Sequence, residues 1–192
     1  MIQAETALHS SVAGLKRAPV FGPDYSEEIV LKDGRRARLE VLRPAHTAEL
    51  LAGFARLSPR SRYLRYFGAK PRLTAQDLAR LFASDSRGHY AIGVAVENDG
   101  EWEGAAAGHF APAADDTARV ELAITVIDDY QRAGLGRLLL ERLRDAAIER
   151  GFRGLHAEVL AENRGMLRLL SAFAPDLVAR SQGTSISIDI AL

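Results

Sequence analysis

The 192-residue sequence contains no cysteine. Disulfides, thiolate-bound zinc and any mechanism that parks an acyl group on a Cys sulfur are therefore excluded for this chain. Long apolar runs are also missing. No stretch approaches the roughly 18 residues of a membrane span. The start, MIQAETALHSSVAGLKRAPV, lacks the order of a secretory signal, basic residues and then an apolar core. The expected location is cytoplasmic, with no membrane partner. An excess of one charge is lacking as well: Lys+Arg and Asp+Glu are both 25. Without a net positive field, no nucleic-acid partner is expected. The phosphate-binding patterns GxGxxG and GxxxxGK[ST] do not occur. His109 and His156 fall on separate expected strands, and with no cysteine to join them no metal site is expected.

What is present is an ordinary globular balance, 47% apolar and 26% charged residues. Residues 1–26 mix Ala, Ser, Gly, Pro and scattered charges without a sustained period and read as a loosely ordered arm. Residues 27–192 read as one domain. EIVLKDGRRARLEVLRP predicts a hairpin turning at Asp33-Gly34. Pro44 opens a helix through Ala55. SPRSRYLRYF and LTAQDLARLFAS predict two further helices, the second with Thr74 as cap and Asp77 completing a capping-box pattern. HYAIGVAVE, EGAAAGHFAP and ARVELAITVI predict three antiparallel strands, with turns at Asn98-Asp99-Gly100 and Ala114-Asp115-Asp116. Gly134 to Arg150 is a strong helix, with Leu135, Leu138, Leu139, Leu143, Ala146 and Ala147 on one face. The strand GLHAEVL, a helix capped by Asn163 and a hairpin at Gln182-Gly183 complete the chain. A helix between ARVELAITVI and GLHAEVL makes a β-α-β crossover, so those two strands should run parallel. The fold class is α/β: a mixed, mostly antiparallel sheet with one parallel pair and flanking helices.

The segment VELAITVIDDYQRAGLGRLLLERL carries the chemistry. A strand ends near Val126, and Gln131-Arg132-Ala133-Gly134-Leu135-Gly136 leads straight into the strong helix. A helix start offers unpaired N–H groups and the positive end of the macrodipole, and glycine lets a ligand approach the backbone. Such a turn suits a pyrophosphate, with Arg132 and Arg137 available to add charge. Glu121 lies in the middle of an apolar strand. Its neighbours should bury it and raise its pKa, which suits a base, although strand alternation would equally place it on a solvent face.

Q-R-A-G-L-G matches the Q/R-x-x-G-x-G/A signature of the GNAT acetyltransferases, at the strand–helix junction where that family has it. With LSPRSRYLRYF before it and AENRGM after it, the chain from about residue 29 to 190 resembles the GNAT domain of bacterial Pat-type protein lysine acetyltransferases. The resemblance implies a GNAT fold whose parallel strands splay around acetyl-CoA. It implies pantetheine contacts from the backbone of Ile124 and Val126. It implies pyrophosphate contacts from the amides of Gln131, Arg132, Ala133, Gly134, Leu135, Gly136 and Arg137, and a place for Asn163 beside the CoA arm or simply as a helix cap. Glu121 stands where many members carry a catalytic Glu. The early helices border the acceptor site, which brings in Tyr63 and His109, although Tyr63, Tyr66 and Phe67 are also spaced to pack inward with the arginines outside. Where many members have a Tyr general acid, this chain has Leu170 followed by Ser171. The implied activity is direct acetyl transfer from acetyl-CoA to an amine in a ternary complex. The acceptor is a protein lysine or, alternatively, a small-molecule amine, and a non-catalytic acyl-CoA sensor remains a rival.

Overall fold

A computed structural model describes residues 20–84, 88–113 and 116–192. Most of the expected arm (1–19) and part of the turn at Ala114-Asp115 lie outside the described residues. β1 (Ser26–Val30) and β2 (Arg36–Val41) form the first hairpin, and Gly34 has the left-handed φ of 88° that the turn requires. A single turn of 3₁₀ helix at Pro44–His46 leads into α1 (Thr47–Arg56), followed by α2 (Pro59–Tyr66) and α3 (Ala75–Leu81). The α3 start is the expected capping box: Thr74 accepts from the Asp77 amide while Asp77 accepts from the Thr74 amide. β3 (Tyr90–Asn98), β4 (Glu101–Pro112) and β5 (Arg119–Val126) form an antiparallel meander. α4 (Leu135–Glu149), β6 (Gly154–Leu160), α5 (Arg164–Phe173), β7 (Val178–Gln182) and β8 (Ser185–Ala191) follow.

The eight strands form one sheet in the order β1-β2-β3-β4-β5-β6-β8-β7. β5 and β6 run parallel, but they pair only at Arg119↔Gly154, Val120↔Leu155 and Glu121↔His156. Beyond Glu121 the ladder stops. β5 continues along β4, β6 continues along β8, and the two strands splay apart.

Alternation sorts the side chains to two faces. Val120, Leu122 and Ile124 of β5 are buried toward α4, where Gly108 of β4 leaves room for Leu143: a Cβ on Gly108 would lie 2.8 Å from its Cδ1. α4 buries Leu135, Leu139, Leu140, Leu143, Ala146 and Ala147. Leu140 thus takes the fully buried place expected of Leu138, which is only partly buried. α5 lies alongside α4, with Leu169 against Gly136 and Phe173 under Arg144. The opposite face of β3, β4 and β5 is roofed by α1, α2 and α3.

Packing begins before the expected domain boundary at 27. Phe21 is buried, its N–H donates to Glu149, and its carbonyl accepts from Arg150 at 2.8 Å. None of the described helices is long and apolar enough to cross a membrane.

Candidate active site

The splay determines which backbone groups are free. Ile127 N donates to Ala105 O and Ala113 N donates to Arg119 O, so the odd-numbered residues of β5 face β4. By alternation Ile124 and Val126 direct their N–H and C=O groups the other way, toward β6, at a level where β6 has already diverged. Gln131 spans the end of this open edge. Its side-chain amide donates to Val126 O at 3.3 Å and to Ser61 Oγ at 3.3 Å.

The loop after β5 is held from a distance. Ser58 caps α2, and Asp128 accepts from Ser58 N (2.9 Å), Ser58 Oγ (2.8 Å) and Ser61 Oγ (2.8 Å). Burial opposes ionisation of this carboxyl, but the three hydrogen bonds outweigh it and hold its pKa below the usual carboxylate range. Asp128 thereby fastens the start of α2 to the loop that feeds α4. Arg60 of α2 also reaches Glu162, beyond β6, at 3.4 Å.

The loop then turns sharply. Arg132 has φ 71° and Gly134 φ 90°, both left-handed. Gly134 is the N-cap of α4, and no side chain caps it. The first intrahelical bond of α4 comes from Leu138 N to Gly134 O, which leaves the amides of Leu135, Gly136 and Arg137 without helical partners. Arg132 is exposed, Ala133 is half-buried, and Arg137 is exposed and paired with Glu141 at 2.9 Å. Across the splay, Asn163 caps α5 by accepting from Met166 N at 3.1 Å. Its carboxamide NH₂ is not engaged in that bond. An open strand edge, a row of uncapped amides and a facing Asn can receive an elongated ligand with an amide-bearing arm and an anionic end.

Glu121 sits where the splay begins. It is exposed, because Val120 and Leu122 point into the α4 face while it points to the other. The burial expected from its sequence neighbours is absent. On that same face lie His109 of β4 and Arg65 of α2. Burial pushes the His109 imidazole down to about 3, with Arg65, His89 and Arg80 adding repulsion, so the ring is neutral at pH 7. Burial likewise lowers the Arg65 guanidinium, against the attraction of Tyr66, Glu121 and Asp77.

The packing of α2 departs from the expected one at Tyr63, Phe67 and the arginines Arg62 and Arg65. Tyr63 and Phe67 are exposed at 40% and 44%. Arg62 lies over the Phe54 ring at 4.6 Å, and Arg65 turns inward. Of the three aromatics only Tyr66 packs in, edge-on to Phe54. Tyr63 is not among the residues lining the cavity under α1–α3, whereas His109 is. Leu170 is fully buried core, and Ser171 is exposed. His156 Nδ1 is 2.9 Å from Asp189, which also binds Arg119 and Arg180, and Glu158 accepts from Ser185. Among the described residues no group of three or more ligand-type side chains converges.

The sequence model described as the Acetyltransferase (GNAT) family matches residues 59–173. The chain belongs to the GNAT acetyltransferase family. As a GNAT domain it is 30% identical over 165 residues to acetyltransferase PA5475 of Pseudomonas aeruginosa, covering 85% of this chain and 88% of that one. The GNAT domain of S. lividans PAT superposes with a TM-score of 0.76 at 26% identity, covering 87% of this chain and 97% of that one. The fold is shared with yncA from Salmonella typhimurium, solved with its cofactor acetyl-CoA, at a TM-score of 0.65 and 17% identity over 81% and 94% of the two chains. The splayed β5–β6 pair and the α4 loop of this GNAT domain are the features its sequence signature implied. Arg65 and Asp128 were not foreseen. The signal for Asp128 is faint: an acidic residue just past a strand, and a Ser-Pro-x-Ser helix start elsewhere that can bind it.

Proposed function

We propose that the protein transfers the acetyl group of acetyl-CoA to a primary amine, with a protein lysine as the acceptor class and Glu121 as the base. The observation that carries this reading is the uncapped start of α4 beside the open edge of β5, with a carboxylate at the point of the splay. The amides from Arg132 to Arg137 hold the pyrophosphate of the donor; that of Gln131, expected to join them, already donates to Asp128 O at 3.2 Å. The backbone of Ile124 and Val126 lines its pantetheine arm, and Asn163 Nδ2 lies beside it. The neutral amine attacks the thioester carbon, Glu121 accepts the proton that the nitrogen sheds, and CoA leaves as its thiol or thiolate. No acyl group passes through the enzyme. Leu170 supplies no proton, so the leaving sulfur takes one from solvent, and positioning supplies much of the rate.

A small-molecule amine is the second reading. It is favoured by the recessed cavity of about 110 Å³ under α1–α3, partly open to solvent, which offers a small amine a pocket rather than a flat surface. Thiol release from acetyl-CoA, followed with lysine peptides and with small amines, tests the reaction. Tight acetyl-CoA binding without thiol release for any amine would make the protein a sensor rather than an enzyme.

A further inference from the structure

A cavity lies under α1–α3, on the side of the sheet away from α4. Small residues make its floor: Gly93 and Ala95 of β3 and Ala107 of β4. Leu50, Phe54 and Leu73 are in its wall. Polar side chains line it too: Glu40 is paired with Arg38, and Glu49 is exposed. His109 and Arg65 line the cavity, and neither makes a hydrogen bond or ion pair among the described residues. The Arg65 guanidinium rests near the Tyr66 ring, 4.9 Å from its centroid, and is half-buried. The nearest carboxylates act on it only through space. Asp77 is occupied by Lys70 at 2.7 Å and by Thr74, and Glu121 lies at the start of the splay.

The half-buried guanidinium has lost part of its hydration and makes no hydrogen bond to the described residues in return. Its planar fork matches a carboxylate, which it binds through two parallel hydrogen bonds. His109 is held neutral, so it adds no charge, but it can donate or accept one further bond. Glu121 and Arg65 are near enough to influence each other electrostatically. Glu121, like His109, points to the side of the sheet away from α4, where Arg65 of α2 lies, so a base for an amine and a cation for an anion share one side of the fold.

We infer that the acceptor carries a carboxylate close to its amine, bound by Arg65 inside this cavity while the amine lies against Glu121. The inference rests on the transferase reading and narrows its acceptor. The carboxylate can belong to a free amino-acid-like molecule or to an acidic residue beside a lysine in a peptide.

The test uses matched pairs of acceptors: free lysine against lysinamide, and a lysine peptide with a neighbouring Glu against the same peptide with Gln. Thiol release from acetyl-CoA is measured for the wild type, Arg65→Lys and Arg65→Met. In the wild type the carboxylate member of at least one pair has a kcat/KM about 10–100-fold higher, carried mainly by KM, as a charge-assisted bidentate contact gives. Arg65→Met erases the preference and Arg65→Lys keeps part of it. The ratio within each protein cancels any general loss of activity, and calorimetric titration with acetyl-CoA confirms that each variant is folded. The pair that shows the preference identifies the source of the carboxylate. Equal rates for both members of both pairs in the wild type, or a preference that survives in Arg65→Met, overturn the inference and leave the transferase reading standing. Absence of thiol release with every amine overturns both.

Discussion

A lysine ε-amine has a pKa near 10.4, so about one molecule in 2,500 is neutral at pH 7. An enzyme that acetylates it gains from any group placed to take the proton. Glu121 is placed by a register: it is the last residue of β5 to pair with β6, on the face opposite the core. Glu121→Gln keeps the shape and removes the base. The rate should fall by about 10²–10⁴-fold, or about 3–5 kcal/mol of barrier, and recover in part at high pH where more amine is already neutral. Superimposable pH–rate profiles for wild type and variant, at equal acetyl-CoA affinity, would remove Glu121 from the mechanism. His109 gives a second prediction at this scale. Its pKa is about 3 in the folded protein against an ordinary 6.5, so between these values the unfolded chain binds the proton and the folded one does not. Stability therefore rises with pH through that window and falls on acidification, by at most about 1.4 kcal/mol per pH unit and less for a half-buried ring. Urea unfolding at pH 4.5 and pH 7 should show the wild type losing about 1 kcal/mol more than His109→Asn, which does not titrate.

At the scale of elements, the periodic segments were legible and the long-range ones were not. The α4 helix, the Thr74 capping box and the hairpin at Gly34 are local patterns, read within a few residues of sequence. The orientation of α2 is not local. Arg62, Arg65 and Tyr66 share one helical face, and Tyr63 and Phe67 share another. Composition alone favours burying the aromatics. Asp128, 70 residues from Ser58, fastens the helix the other way round. Glu121 shows the same limit: its sequence neighbours are apolar, but alternation sends them to the opposite face. Gly134 was legible as a tight turn. Its φ of 90° means that Gly134→Val strains the backbone itself, at roughly 1–2 kcal/mol, so that variant perturbs the turn as well as the ligand site. Asp128 is the better probe of the loop. Asp128→Ala leaves Ser58 N, Ser58 Oγ and Ser61 Oγ without their acceptor and should cost about 1–3 kcal/mol in urea unfolding, with acetyl-CoA binding weakened alongside. A variant as stable as the wild type would show that α2 is held by its other contacts, such as Tyr66 on Phe54, without help from Asp128.

On the scale of the whole molecule the sheet has a seam. β1 to β5 form one continuous antiparallel set, and β6, β8 and β7 form another. Three residue pairs join them, backed by α4 and α5 packed side by side on one face. In the proposed complex the donor lies in the gap where that ladder ends, taking hydrogen bonds from β5 on one side and from the α5 cap on the other. It then acts as a strand would, tying the two sets together. A ligand that binds only the folded state stabilises it by RT ln(1 + [L]/Kd), about 2.7 kcal/mol at a hundredfold excess over Kd. For a chain of this length that corresponds to a rise in Tm of about 5–10 °C. The gain should also be local. Amide exchange at Ile124, Val126 and the end of β6 should slow with acetyl-CoA more than exchange at Leu39 and Ile92, which lie deep in the antiparallel set and already open only with the whole fold. Glu121→Gln should retain both effects, since the base does not hold the donor. A Tm rise with no added protection along the β5 edge would mean that acetyl-CoA binds away from the seam, and the assignment of Ile124 and Val126 to its pantetheine arm would fall with it.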